Sequence, residues 1–205
     1  MYPALQTYLE KIKIRSTRIA PERKESLLEL AEYISGRLKE QKPVALNFIC
    51  THNSRRSHLS QIWAGFFAYH FGLPAVKTYS GGTEATAFNQ RAVAALERAG
   101  FRVKNPGGSN PLYEVSFSDS TPAMVCFSKK YSDPVNPAGD FAAIMTCTQA
   151  DKACPLVQGA DYRLSLPFED PKAADNTPEE SGRYDERCLQ IASEMYFVFS
   201  SVRKP

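Results

Sequence analysis

The spacing of apolar positions changes several times along the chain. Residues 3 to 13 and 21 to 41 carry them at helical intervals, and in the second segment Leu27, Leu28, Leu30, Tyr33, Ile34 and Leu38 predict one apolar stripe. Pro21 suits the first turn of that helix. From Val44 to Ile49 the chain is almost continuously apolar, as expected of a central strand in a parallel sheet covered on both faces. A helical pattern over 57 to 71 follows, with Trp63, Phe66, Phe67 and Tyr69 expected in a buried stripe. Val76 to Tyr79 predicts a second strand that runs into Gly81-Gly82, where a tight turn of the backbone is expected. The spacing over 88 to 99 predicts a helix that turns Ala92, Val93, Leu96 and Ala99 inward and stops at Gly100.

Beyond it, NPGGSN at 105 to 110 reads as a loop, after which LYEVSFS and PAMVCFS alternate in strand fashion around Asp119-Ser120. These predict a β-hairpin inserted at about residues 105 to 128. Phe141 to Thr146 and Tyr162 to Leu166 supply two more strands, and 178 to 200 reads as a closing helix that carries Cys188. The expected fold class is α/β, a three-layer α/β/α arrangement with a central four-stranded parallel sheet. An N-terminal helical extension, residues 1–42, precedes a domain spanning 43–205. The extension either packs on the flank of that domain or serves as an arm for a partner or an oligomer.

Composition narrows the setting. With 205 residues, 43% of them hydrophobic, the chain can bury a proper core, and no stretch approaches the roughly 20 apolar residues of a membrane span. The N-terminus mixes charge into its apolar positions and has no signal-peptide pattern, so a soluble, cytoplasmic protein with no membrane partner is expected. Five cysteines, an odd number in a chain of this size, fit reduced thiols better than a disulfide framework. A formal charge of +3 is too small and too evenly spread to argue for nucleic acid.

The chemistry concentrates in VALNFICTHNSRRS, residues 44 to 57, where the apolar strand gives way to a polar loop that begins with Cys50. Backbone N–H groups converge at such a strand-loop-helix junction and the helix dipole adds positive character, so a tetrahedral oxyanion is the expected ligand. Thr51, His52, Asn53, Ser54, Arg55, Arg56 and Ser57 are the candidates for holding it, and the Arg56 guanidinium can grip two of its oxygens. The same field favours the thiolate form of Cys50, which makes it a candidate nucleophile, with Ser57 as a hydrogen-bond donor to the sulfur. Asn53 is expected to hold the curvature of the loop. The plainer alternative for Cys50 is a small apolar residue that ends a strand. His58, just past the loop, is expected to be solvated and without a role. Cys126 is expected to be a buried bystander.

The Cys-x5-Arg-Ser loop at 50 to 57 resembles that of the low-molecular-weight protein tyrosine phosphatase superfamily, which includes the thioredoxin-coupled arsenate reductases. TYSGGTEA at 78 to 85 is similar to the family's second strand and turn, and LPFEDPKAAD at 166 to 175 to its general-acid loop, with Asp170-Pro171 as the Asp-Pro pair. TCTQADKACP at 146 to 155 carries Cys147 and Cys154, which resemble the two resolving cysteines of the reductase branch.

The resemblance covers residue 44 to about 200. It implies that Cys50 attacks arsenate, that Asp170 acts as general acid, and that Cys147 and then Cys154 pass a disulfide outward to thioredoxin. No metal and no organic cofactor are implied. The alternative is phosphomonoester hydrolysis through a Cys50 phosphocysteine, although Lys172 to Asp175 lacks the tyrosines common in the phosphatase branch. A third reading is a non-enzymatic anion-binding module, against which the intact Cys50, Arg56 and Asp170 speak. The sequence departs from the pattern at Arg55, where both branches commonly carry cysteine, and at His52, where glycine is usual. It departs also at Gln61, where the reductases commonly have glutamate, so a potassium site relying on that glutamate lacks its carboxylate.

Overall fold

The computed structural model describes residues 1–204. Its centre is a parallel sheet of β1 (Val44–Cys50), β2 (Val76–Gly82), β6 (Phe141–Met145) and β7 (Ala160–Ser165), in the order β2-β1-β6-β7. Side chains alternate across it. Leu46, Phe48, Ala142 and Ile144 face the large core on one side, while Ile49, Ala143 and Met145 face a smaller one with Ala150 and Val157 on the other. With both faces buried, period-two alternation disappears from the sequence, which is why β1 reads as an unbroken apolar run.

The large core is roofed by α1 (Pro3–Ser16), α2 (Pro21–Lys39), α3 (Arg56–His70), α4 (Gln90–Ala99) and α6 (Glu180–Ser201). α1 buries Leu5, Leu9 and Ile12 against α6, and α2 buries Leu27, Leu30, Ala31, Ile34 and Leu38. The N-terminal extension is thereby part of the common core. Tyr2 fastens its start, with the backbone N–H donating to Phe117 O at 2.9 Å and the hydroxyl to Asp119 Oδ1 at 3.1 Å. α4 is capped by Asn89, whose Oδ1 accepts from the N–H groups of Arg91 and Ala92, and it stops at Gly100 with φ +105°. The second face is covered by the short α5 (Thr148–Ala153) and the loop after β5 (Met124–Cys126).

Three sequence expectations are corrected. Tyr69 is 56% exposed rather than part of the buried stripe of α3, and Leu28 is 40% exposed rather than part of that of α2. Both lie off the stripe: Tyr69 is two positions past the buried Phe67, about 200° around the helix, and Leu28 follows the buried Leu27 by one position, about 100°. The inserted hairpin of β4 (Tyr113–Ser116) and β5 gains a third strand, β3 (Arg102–Lys104), which pairs antiparallel with the free edge of β4. Three residues are too few to show a period.

Among the described residues, no helix is long and apolar enough to cross a membrane.

Candidate active site

β1 delivers Cys50 to the C-terminal edge of the sheet, where its Sγ lies 3.0 Å from Ser57 Oγ in the first turn of α3. The direction of that hydrogen bond follows from its neighbours. Lys129 N–H donates to Asn53 Oδ1 at 2.9 Å, which fixes the Asn53 amide so that its Nδ2 donates to Ser57 Oγ at 2.9 Å and to Ser80 Oγ at 3.0 Å. Ser57 therefore keeps its own proton for the sulfur. Asn53 holds the loop in a left-handed conformation, φ +44°, that a short polar side chain tolerates.

Gly81 and Gly82 do not turn the chain as expected; β2 runs straight through them, pairing Cys50 with Gly82. Their smallness is what is used. A Cβ on Gly82 would stand 2.7 Å from both Asn53 N and Thr51 O, and one on Gly81 would meet the Tyr131 backbone at 2.3 Å.

The expectation for His58 is also overturned. It is fully buried, stacked on Phe88 with ring centroids 4.1 Å apart, and burial together with the nearby Lys129 ammonium pushes it well below the usual imidazole range. Ser80 Oγ, which accepts from Asn53, also lies 3.3 Å from His58 Nδ1, while Nε2 is buried without a hydrogen-bond partner. A neutral imidazole thus braces the loop from behind. Its burial depends on β2 and Phe88 arriving from elsewhere in the chain, which one helical turn of sequence cannot show.

Asp170 reaches the loop from the segment that follows β7, at the same C-terminal edge of the sheet as Cys50. Its backbone starts the 3-10 turn Pro171–Ala174, and Oδ1 accepts from Lys172 N–H at 3.1 Å. Arg56 spans the gap, donating from Nη1 to Phe168 O at 3.0 Å and from Nη2 to Asp170 Oδ2 at 2.7 Å. Arg55, expected among the oxyanion ligands, turns instead to this acidic segment. Its Nη1 lies 3.6 Å from Asp170 Oδ1, and its Nε donates to the Tyr184 hydroxyl, which donates onward to Asp175 Oδ1 at 2.8 Å. Burial, then Asp175, raises the Tyr184 phenol to about 12, so it stays a donor. Ser54 is likewise used structurally, donating from Oγ to Ala87 O at 2.8 Å. His52 lies exposed, with its Nε2 3.6 Å from Glu84. Gln61 brings no negative charge to its position and donates weakly to Thr78 O at 3.4 Å.

Cys147 follows β6 just as Cys50 ends β1. The register pairs Ile49 with Met145, and Thr51 Oγ1 lies 3.4 Å from Cys147 Sγ. Cys147 also caps α5, its sulfur accepting from Ala150 N–H at 3.3 Å. Cys154 sits at the opposite end of α5 and is partly exposed. Seven residues of helical rise separate the two, about 10 Å. All five cysteines are free. Burial raises Cys126 and Cys188 to about 12 each, so neither supplies a thiolate near neutrality. Cys188 accepts from Trp63 Nε1 at 3.3 Å.

No family model matches the chain. Curated relatives do. An arsenate reductase of Shouchella clausii strain KSM-K16 is 31% identical over 133 residues, 65% of this chain and 78% of that protein. Its counterpart in Bacillus subtilis strain 168 is 30% identical over 140 residues, 68% of this chain and 83% of its own length.

The chain belongs to the arsenate reductase family.

The family fold is shared with phosphatases. A low-molecular-weight protein tyrosine phosphatase from T. tengcongensis superposes with a TM-score of 0.52 at 15% identity, over 78% of this chain and 99% of that one. A low-molecular-weight phosphotyrosine phosphatase from Vibrio cholerae O395 gives 0.51 at 15% identity, over 77% and 95%. Within this family member, sequence reasoning missed the supporting roles of Ser80, Lys129 and Tyr184, which contact the loop at Asn53 and Arg55, and of Asp175, which holds Tyr184; Ser80 and Asp175 lie in the quoted motifs, yet nothing in those stretches marks them as supports.

Proposed function

We propose that the chain is an arsenate reductase that works by a three-thiol relay and is regenerated by thioredoxin. The observation that carries this reading is the meeting of Cys50, donated to by Ser57, with the Arg56–Asp170 pair on one side and Cys147 on the neighbouring strand end on the other. In the relay, the Cys50 thiolate bonds to arsenic and displaces hydroxide, which leaves as water with a proton from Asp170. The loop amides and Arg56 hold the remaining oxygens. Cys147 then attacks Cys50 Sγ; a disulfide forms and the sulfur–arsenic electron pair stays with arsenic, releasing arsenite. Cys154 next attacks Cys147, freeing Cys50, and the dithiol of thioredoxin reduces the Cys147–Cys154 disulfide.

That second exchange requires a conformational change. A disulfide needs its two Cα atoms within about 7 Å, so α5 must unwind for Cys154 to reach Cys147. Phosphomonoester hydrolysis would use Cys50, Arg56 and Asp170 but neither resolving thiol. Arsenate-dependent oxidation of NADPH with thioredoxin and its reductase, compared with hydrolysis of an aryl phosphate by the same preparation, tests the proposal. Turnover of arsenate sustains it; aryl phosphate hydrolysis with no arsenate-dependent oxidation overturns it.

A further inference from the structure

A large cleft lies away from Cys50. It has a volume of about 810 Å³ and opens between α1, α2 and α6, the first two being the N-terminal extension that the chemistry at Cys50 leaves unexplained. Its walls carry Lys11, Arg15, Arg18 and Arg23 against a single carboxylate, Glu194.

That carboxylate is already neutralised. Arg23 Nη2 lies 2.7 Å from Glu194 Oε2, and Gln190 Nε2 donates to Oε1 at 2.9 Å. Lys11, Arg15 and Arg18 have no ion-pair partner among the described residues. Lys11 and Arg15 stand one turn apart on α1, and Arg18 follows just past its end, so three uncompensated cations lie along roughly 10 Å of one wall. Holding such like charges together costs energy unless an anion balances them. Ile14, 59% exposed, joins Ile19, Leu189 and Pro167 to give the cleft apolar surface beside the charges.

We propose that this cleft binds a soluble organic phosphate with two or more negative charges, of about nucleotide size. Guanidinium groups match phosphate oxygens two at a time, and the apolar wall accommodates the organic body. The volume falls in the range of small-molecule clefts, roughly 300–1,000 Å³, and far exceeds what a lone tetrahedral anion fills. Pro167 belongs to the cleft and precedes the segment of Asp170, and Arg23 lies with its guanidinium 5.0 Å from the Phe168 ring centroid, so the occupied site would border the acid loop. The inference does not depend on the reductase reading.

The test is calorimetric titration of the reduced full-length chain with magnesium-free ATP, ADP, adenosine, inorganic phosphate and an acidic peptide as separate probes. ATP should bind at one per chain, more tightly than ADP, with adenosine silent and with saturating inorganic phosphate, which would occupy the Cys50 loop, leaving the ATP isotherm in place. Arg15→Glu with Arg18→Glu, both on the surface of the cleft, should weaken ATP binding by about tenfold or more. Thermal unfolding of that variant should be near parental, which separates lost binding from lost fold. The proposal is overturned by absence of saturable ATP binding at millimolar concentration, by affinity unchanged in the folded double variant, by displacement with inorganic phosphate, or by the acidic peptide binding more tightly than ATP.

Discussion

Arg56 and Asp170 meet at 2.7 Å, Nη2 to Oδ2, across 114 positions of sequence. The contact joins the loop that begins at Cys50 to the segment that carries the proposed acid. Replacing Asp170 with asparagine keeps the shape and removes the proton. Arsenate turnover should fall by about a hundredfold with KM nearly unchanged, as for loss of a general acid. Steady-state kinetics at fixed thioredoxin checks this; a change confined to KM removes Asp170 from the chemistry.

Arg55 bears on the same carboxylate from the other side and is anchored through Tyr184 to Asp175. In Arg55→Cys, the residue common in the family, Asp170 loses one of its two cations and the acid segment loses a tie to α6. The expected result is a lower kcat, roughly tenfold, with the Cys50 burst of a single turnover preserved in amplitude. Tyr184→Phe should reproduce part of the loss and cost about 1 kcal/mol of stability, the worth of a part-buried hydrogen bond. An Arg55→Cys enzyme with parental kcat shows the tie to be idle.

Cys154→Ser separates the two chemistries open to this loop. The first disulfide, Cys50 to Cys147, should form with release of about one arsenite per chain and then stall for want of an onward thiol. Peptide mass spectrometry of the stalled protein should find Cys50 joined to Cys147. Sustained thioredoxin-dependent turnover at the parental rate would falsify the relay.

Arg163 staples the end of α5 to β7. Its Nε donates to Cys154 O at 3.2 Å and its Nη2 to Asp151 Oδ1 at 2.6 Å, while Ser165 Oγ donates to Asp151 Oδ2 at 2.8 Å. If unwinding of α5 precedes the second exchange, Arg163→Ala should speed the transfer of the disulfide from Cys50–Cys147 to Cys147–Cys154. Loss of a part-buried ion pair worth about 1–2 kcal/mol corresponds to roughly tenfold. Rapid acid quench and thiol labelling after a single turnover measure the transfer. An unchanged rate places the slow step elsewhere.

His58 makes stability depend on pH. Its folded value is depressed well below 6.5 by burial and by Lys129, so below about pH 6.5 the unfolded chain binds a proton that the folded chain refuses. Protons bound in excess by the unfolded state make stability rise with pH; the contribution of His58 is therefore complete above 6.5 and is lost as pH falls below it, at up to about 1.4 kcal/mol per unit. Urea unfolding between pH 5 and 7.5 should show this slope, and His58→Gln should remove about one proton's worth of it. An equal slope in the variant assigns the dependence to other groups.

The amino-acid sequence by itself determined the four strands of the central sheet and the five long helices, and it pointed to Cys50 and Arg56 as the chemical residues of the first loop. A doubly buried strand leaves a continuous apolar run, as in β1, and an oxyanion loop needs cysteine and arginine at a fixed spacing; both are local requirements, legible in order along the chain. Asp170-Pro171 and the pair Cys147 and Cys154 stood out only through the resemblance to the family, not through a local requirement of the chain. What Arg55 holds, why Gly82 must be small, and how the first turn of α3 buries His58 were decided by tertiary structure alone. Each depends on an atom brought from tens of residues away: Tyr184 hydroxyl to Arg55, Asn53 N beside Gly82, Phe88 over His58. Burial and partner choice are set by which surfaces meet after the sheet has formed, and no short stretch of sequence carries that information.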